Sequence, residues 1–157
     1  MAVIRERSFP EPDSLRCAVA ALILDHLRQD VGIPHAILLS GGQTPLPIYE
    51  QASAGGVVAD ADCHVLYTDE RMVPTDSPLS NYGNTRQYLA RMGIREDCIL
   101  RVDTRLEAGG AAHAYDEAIR RFFRKGGRIT LGLLGLGADG HTASLFTLPA
   151  VGDFNNP

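Results

Sequence analysis

Three short clusters in the sequence combine glycines with side chains that can bind anions or move protons. They are Ser40-Gly41-Gly42-Gln43-Thr44-Pro45, Asp69-Glu70-Arg71 and Gly137-Ala138-Asp139-Gly140-His141-Thr142. Glycines let the backbone approach a ligand closely. Arginine and backbone N–H groups bind oxyanions, and an imidazole ring can accept a proton near neutral pH. If the fold brings these clusters together, they provide the groups for acid–base chemistry on an anionic substrate.

The cluster that begins at Ser40 joins a predicted strand to a predicted helix. Ser40 and Thr44 provide hydroxyl donors, and the N–H groups and dipole of the following helix favour an anion. This pattern predicts a phosphate-binding turn. The alternative is an ordinary glycine turn in which Thr44 caps the helix, and the cluster alone does not decide between the two. It is not a nucleotide P-loop, because no Gly-Lys-Ser or Gly-Lys-Thr follows.

The second cluster places three charged side chains at the end of a predicted strand. Arg71 can clamp a phosphate or carboxylate, or stabilise an oxyanion as it develops. Asp69 and Glu70 can orient this arginine or bind sugar hydroxyls. The alternative is a solvated charge cluster at the entrance to a loop, and this cluster taken alone favours that alternative.

The third cluster follows the most apolar predicted strand. His141 is a candidate general base, and Asp139, two residues earlier, can hold the ring in one orientation. The alternative is that His141 only caps the next helix. Gly135, Gly137 and Gly140 also spell G-x-G-x-x-G, a pattern of dinucleotide-binding sites. The sequence disfavours such a site, because no further strand with an acidic residue is predicted after it.

Predicted strands alternate with predicted helices along the chain. The predicted strands cover 36–39, 64–68, 98–102 and 129–136, and the predicted helices cover 13–29, a short segment through Tyr49 and Gln51, 81–92 and 107–125. This alternation is typical of a parallel sheet with helices on both faces, and near-continuous apolar strands such as 129–136 indicate burial on both sides. Ligands of such folds bind beyond the carboxyl ends of the strands. We therefore expect the three clusters to meet at one rim.

The composition is that of an ordinary globular protein. The chain has 157 residues, is 45% hydrophobic and 22% charged, and carries a net charge of −4. This charge gives no sign of a nucleic-acid surface, and neither a signal peptide nor an apolar run of membrane-spanning length is present. Cys17, Cys63 and Cys98 are too few and too scattered for a disulfide scaffold or a zinc site. We expect one cytoplasmic domain over residues 1–157 that binds neither nucleic acid nor a membrane, with its oligomeric state left open.

The three clusters together resemble the signature segments of the 6-phosphogluconolactonase family. Residues 40–45 resemble its S-G-G-x-T-P loop, residues 69–74 with Ser80-Asn81 resemble its D-E-R-x-V-P…S-N segment, and residues 135–146 resemble its G-x-G-x-D-G-H-x-A-S-L-F signature. The order and spacing fit from the first helix to about Pro149. The resemblance implies a three-layer, Rossmann-like α/β fold with an open, mostly parallel sheet. It also implies hydrolysis of 6-phosphoglucono-1,5-lactone to 6-phosphogluconate in the oxidative pentose phosphate pathway, without a metal or an organic cofactor.

The resemblance also implies roles for individual residues. His141 would be the general base that activates water, Asp139 would support it, and Arg71 would bind the substrate or the oxyanion. The residues that would hold the phosphate or shape the substrate site are Ser40, Gly41, Gly42, Thr44 and Asn81, and the position of Asp69 makes it a further candidate for substrate binding.

The chain departs from the family pattern at its C-terminal end. Thr147-Leu148 stand before Pro149, where the family signature continues directly into proline. Family members also continue well beyond this point, with further strands and helices and with an arginine and a lysine that help to bind the substrate. Compared with the family, we expect an incomplete domain that ends at Pro157 without its C-terminal strands, and therefore a sheet with an unpaired edge.

Two alternative functions remain open at this point. A glucosamine-6-phosphate deaminase type of isomerase shares the glycine-rich loop and the Asp-Gly-His segment, but Arg71 and the run 143–146 favour the lactonase. A sugar-phosphate-binding domain without catalytic activity is the second alternative, because of the short C-terminal end.

Overall fold

The computed structural model describes residues 4–29 and 32–145, which form an α/β fold around a parallel sheet. The helices are α1 (Pro12–Leu27), α2 (Leu46–Ser53), α3 (Asn81–Arg91) and α4 (Ala108–Arg124), and the strands are β1 (His35–Leu39), β2 (Cys63–Tyr67), β3 (Ile99–Leu100) and β4 (Arg128–Gly132). The strand order is β3-β2-β1-β4, and each neighbouring pair is parallel. The predicted open parallel sheet is confirmed.

Helices cover both faces of the sheet and give it three layers. Successive side chains of a strand point to opposite faces. On one face Ile37 and Leu39 of β1 belong to the large core that includes α1, α2 and α3. On the other face Ala36 and Leu66 pack with Phe122 of α4. The predicted placement of helices on both faces is therefore confirmed.

The fourth strand differs from its prediction in length and in burial. The apolar run 129–136 predicts a strand buried on both faces, whereas β4 ends at Gly132 and its side chains are largely exposed, Ile129 by 41%. Within the described residues β4 lies at the edge of the sheet, with β1 as its neighbour. One further bond follows it, from the N–H of Leu133 to the carbonyl of Leu38 at 2.8 Å, and then the chain leaves the sheet.

One smaller difference concerns the third strand. The predicted strand 98–102 shrinks to Ile99–Leu100, and at its start Cys98 belongs to the 3₁₀ turn Glu96–Cys98 instead. In α1 the buried side chains are Ala20, Ile23 and Leu27, which face the core.

Two expectations from the sequence concern membrane-spanning segments and cysteines, and the described residues bear on both. In this part of the chain no helix has both the length and the apolar character that a membrane span needs. Cys17, Cys63 and Cys98 are free thiols, the first exposed and the other two buried.

Candidate active site

One pocket lies where β1 and β2 end and where the chain leaves β4. It has a volume of about 470 Å³, which is in the range of small-molecule sites. The predicted site residues that line it are Ser40, Gly41, Gly42, Thr44, Asp69, Arg71, Asn81 and His141. Asp139 does not line the pocket, but its carboxylate contacts Nδ1 of His141. The parallel sheet thus brings the three clusters to one rim, as the sequence predicts.

The turn after β1 is anchored on α2 and presents its backbone to the pocket. The Tyr49 hydroxyl, which is buried, donates to the Ser40 carbonyl at 2.8 Å. Gly42 has a φ of +88°, a conformation that favours glycine. Within the described residues the N–H groups of Gly41, Gly42 and Gln43 have no acceptor in the protein. An anion in the pocket would give these donors a partner.

Gly41 is tied to Asn81, a contact that the sequence does not reveal. A Cβ atom at position 41 would lie 2.0 Å from Oδ1 of Asn81. Asn81 itself is only 5% exposed, and its Nδ2 donates to the Asp69 carbonyl at 3.0 Å. Glycine is therefore required at position 41 because the Asn81 side chain leaves no space for a Cβ atom. A close approach by a ligand would be a second reason for it.

The charged residues after β2 divide into two groups. Asp69 and Arg71 line the pocket, and Nε of Arg71 lies 4.0 Å from Oδ2 of Asp69. The Asp69 carboxylate also accepts hydrogen bonds from Thr68 Oγ1 at 3.0 Å and Ser144 Oγ at 2.6 Å. The Glu70 carboxylate instead binds N–H groups at the start of α3. Arg71, whose side chain is 55% exposed, brings a positive charge to the lining of the pocket.

His141 lies on the third side of the pocket, half-buried and bonded to Asp139. Its Nδ1 and Oδ1 of Asp139 form a short hydrogen bond, and its backbone N–H donates to the same oxygen at 3.3 Å. These bonds lower the pKa of Asp139 below its usual range, the side-chain bond contributing most. An ionised carboxylate can only accept, so Nδ1 is the donor of this bond, and in the neutral ring the lone pair then lies on Nε2. This is the tautomer that a general base needs.

The loop that carries His141 is shaped by its own short-range contacts. The N–H of Gly137 donates to the His141 carbonyl at 2.8 Å, and Oγ1 of Thr142 donates to the Gly135 carbonyl at 2.8 Å. A Cβ atom at position 137 would lie 2.3 Å from Nδ1 of His141, and Gly140 has a φ of +87°. These contacts explain Gly137 and Gly140 of the G-x-G-x-x-G pattern without a dinucleotide. Residues 142–145 form a turn and an isolated bridge, so up to residue 145 His141 does not cap a helix.

The described residues also allow a test for metal-ligand groups. Across residues 4–29 and 32–145, no three His, Cys, Asp or Glu side chains come together in a way that could hold a metal ion.

The fold and the pocket together define an α/β protein with a cavity at the carboxyl rim of its parallel sheet. Residues 10–150 match the family model described as glucosamine-6-phosphate isomerases/6-phosphogluconolactonase, and the chain belongs to this family. The family that the three clusters predict is thereby confirmed.

Two curated relatives and one solved structure show the extent of the likeness. The chain is 37% identical over 113 residues to the 6-phosphogluconolactonase of Thermotoga maritima, covering 71% of this chain and 50% of that protein. It is 36% identical over 146 residues to the 6-phosphogluconolactonase of a Nostoc species, covering 86% of this chain and 60% of that protein. A crystal structure of 6-phosphogluconolactonase from Thermotoga maritima superposes with a TM-score of 0.71 and 29% identity, over 90% of this chain and 62% of that chain. The chain thus spans about half the length of the curated relatives that it matches. Thr147, Leu148 and Pro149, where the sequence departs from the family signature, lie outside the described residues.

Proposed function

We propose that this chain carries the lactone-hydrolysing site of a 6-phosphogluconolactonase and converts 6-phosphoglucono-1,5-lactone to 6-phosphogluconate. One observation carries the proposal: His141, bonded to Asp139, lines the same pocket as Arg71 and the turn that begins at Ser40. The names of the relatives support this substrate over other sugar phosphates. The cytoplasmic location, the single-domain organisation and the lack of nucleic-acid and membrane partners stay predictions from the sequence.

In this proposal the turn after β1 holds the phosphate of the substrate. Gly41, Gly42 and Gln43 offer backbone N–H donors, and Ser40 and Thr44 add hydroxyl groups beside them. The N-terminus of α2, which begins at Leu46 just after this turn, adds its dipole. Binding the phosphate here leaves the lactone ring in the rest of the pocket, between Arg71 and His141.

The chemical steps need a base, a water molecule and a cation. Nε2 of His141 takes a proton from water, and the resulting hydroxide attacks the lactone carbonyl carbon. The carbonyl electrons move to its oxygen, and the guanidinium of Arg71 stabilises this oxyanion. When the oxyanion collapses, the bond between the carbonyl carbon and the ring oxygen breaks, and the ring oxygen takes the proton from His141. The product is a carboxylic acid, which releases one proton at neutral pH.

Asp139 has a supporting role in these steps. It holds the imidazole through Nδ1 and stabilises the imidazolium that forms when Nε2 takes a proton. Because the pKa of Asp139 is lowered, its carboxylate stays charged down to a lower pH than an ordinary aspartic acid does. The support is therefore present at neutral pH and is lost only in acid, as the pH falls through the lowered pKa.

The test compares two reactions and one binding measurement on the purified chain. Hydrolysis of 6-phosphoglucono-1,5-lactone is followed by the proton that it releases, against a protein-free control. Release of ammonia from glucosamine 6-phosphate is measured in parallel, and binding of 6-phosphogluconate is measured by calorimetry. We expect faster proton release than in the control, no ammonia, and binding of the product. Ammonia release would favour a deaminase-type enzyme, and binding without turnover would favour a binding domain; either result contradicts the proposal.

A further inference from the structure

Glu70 stands between two pocket residues in the sequence but makes its contacts elsewhere. Its Oε1 accepts the N–H of Asn81 and the N–H of Arg71, each at 2.7 Å. Its Oε2 accepts the N–H of Tyr82 at 2.9 Å and, at 3.4 Å, the hydroxyl of Ser80. One carboxylate thus binds four donors from the Arg71 backbone and the start of α3. The first N–H groups of a helix have no partner inside the helix, and a negative charge suits them best.

These bonds join the start of α3, which begins at the pocket residue Asn81, to the backbone of the pocket residue Arg71. A single oxygen of Glu70 fixes the backbone of Arg71 and the backbone of Asn81 at the same point. The Asn81 side chain in turn bonds the Asp69 carbonyl and stands against Gly41 of the phosphate-binding turn. A path of direct contacts therefore runs from Glu70 through Asn81 to that turn.

We infer that Glu70 is a positioning residue of the site: by holding the start of α3 against the end of β2, it sets the places of Asn81 and Arg71 in the pocket. The inference deepens the proposed function and rests on it for its kinetic consequences. It does not make Glu70 a catalytic residue, because its carboxylate is taken up by α3 and the Arg71 backbone.

The chemistry of the four donors makes glutamine a sharp replacement. Glutamine has nearly the same shape, but one of its two terminal atoms is an NH₂ group that cannot accept. If the NH₂ group takes the place of Oε1, the N–H groups of Arg71 and Asn81 face another donor. If it takes the place of Oε2, the N–H of Tyr82 does, whereas the Ser80 hydroxyl can turn to accept. A buried donor that loses its acceptor is costly, so we expect the start of α3 to move away from the end of β2 in E70Q.

A second glutamate in the chain provides a matched control. Glu107 caps α4, and its carboxylate accepts the N–H of Gly109 at 3.0 Å and the N–H of Gly110 at 2.5 Å. It does not line the pocket. E107Q therefore weakens a helix N-terminus by the same chemical change, without a direct link to Asn81 or Arg71.

The experiment measures binding of 6-phosphogluconate, lactone hydrolysis, thermal unfolding and amide hydrogen exchange for wild type, E70Q and E107Q. In E70Q we expect the Kd of 6-phosphogluconate and the KM of the lactone to rise at least tenfold, with faster exchange at Asn81 and Tyr82. In E107Q, whose hydrogen bonds are exposed, we expect a smaller loss of thermal stability, faster exchange at Gly109 and Gly110, and a Kd within twofold of wild type. Glu70→Asp, which keeps both oxygens on a side chain one methylene shorter, should give a smaller rise in Kd and serves if E70Q does not fold.

The outcomes separate the two proposals. If E70Q speeds exchange at Asn81 and Tyr82 but leaves the Kd and KM within twofold of wild type, Glu70 is only a helix cap and the inference is overturned. The same conclusion follows if E70Q and E107Q raise the Kd equally. If the wild-type chain neither binds 6-phosphogluconate nor hydrolyses the lactone, the proposed function fails, whereas the exchange data still report whether Glu70 orders Asn81.

Discussion

The pocket has two walls that are held in different ways. The first wall consists of the turn after β1 (residues 40–44) together with Asp69, Arg71 and Asn81. It is fixed to α2 through Tyr49 and to α3 through the bonds of Glu70, and Asn81 is 5% exposed. The wall formed by residues 135–145, the His141 loop, is held largely by bonds among its own residues, and Leu136 in it is 81% exposed. The wall proposed to bind substrate is thus part of the scaffold, whereas the proposed base depends on short local contacts. Changes in the two walls should therefore affect different quantities.

The largest effect should come from removing the proposed base. General acid–base catalysis contributes about 10²- to 10⁴-fold to a rate, so H141A should lower kcat by at least about 100-fold. Its Kd for 6-phosphogluconate should stay within threefold of wild type, because the phosphate is bound by the other wall. His113, exposed on α4 and outside the pocket, provides the control H113A, which should change neither quantity. An unchanged kcat in H141A would rule out this histidine as the base.

The second effect compares one glycine from each wall. In G41A the new Cβ meets the buried Asn81 side chain at 2.0 Å, and this neighbour is bonded in place. We expect a loss of stability of about 1–3 kcal/mol, as for other overpacked sites, and a Kd raised at least tenfold. In G137A the Cβ meets the His141 ring at 2.3 Å, but the exposed loop can shift.

For G137A we therefore expect a lower kcat with stability and Kd close to wild type. Calorimetric unfolding and titration with 6-phosphogluconate measure both variants under the same conditions. If the two variants lose affinity equally, the two walls are not independent and the comparison is wrong.

The place of the site is predictable from the sequence, because the parallel topology decides it. Once strands and helices alternate, the carboxyl ends of neighbouring strands must share one rim. The clusters after β1 and β2 therefore meet even if the predicted strand ends are wrong by a residue or two. The division of roles after β2 is not predictable in this way. The sequence gives Asp69 and Glu70 the same possible roles, whereas in the structure Asp69 and Arg71 line the pocket and Glu70 binds the start of α3.

The contacts between distant segments are what the sequence does not predict. Nothing near Glu70 in the chain indicates that the start of α3 lies against it, since that contact depends on how helix and sheet pack. The same limit explains the wrong prediction for β4. An apolar run shows that a segment suits a sheet, but the ends and burial of a strand depend on its neighbours. Here pairing stops soon after Gly132, because β1 ends at Leu39.

The smallest predicted effect concerns a bond that joins the two walls. Oγ of Ser144 in the His141 loop donates to Oδ2 of Asp69 at 2.6 Å. Removing it in S144A costs at most about 1 kcal/mol, the usual net value of such a bond, because water can replace the hydroxyl at this exposed position. The fixed wall should keep its place, so the Kd of 6-phosphogluconate should stay within twofold of wild type. The loop loses one of its contacts with the scaffold, so kcat should fall about two- to fivefold, up to the roughly fivefold that such an energy allows. Ser53, which bonds the Glu50 carbonyl at 2.7 Å outside the pocket, provides the control S53A. If the Kd of S144A rises by a larger factor than kcat falls, the bond supports Asp69 and not the loop. His141 would then be held in place without this bond.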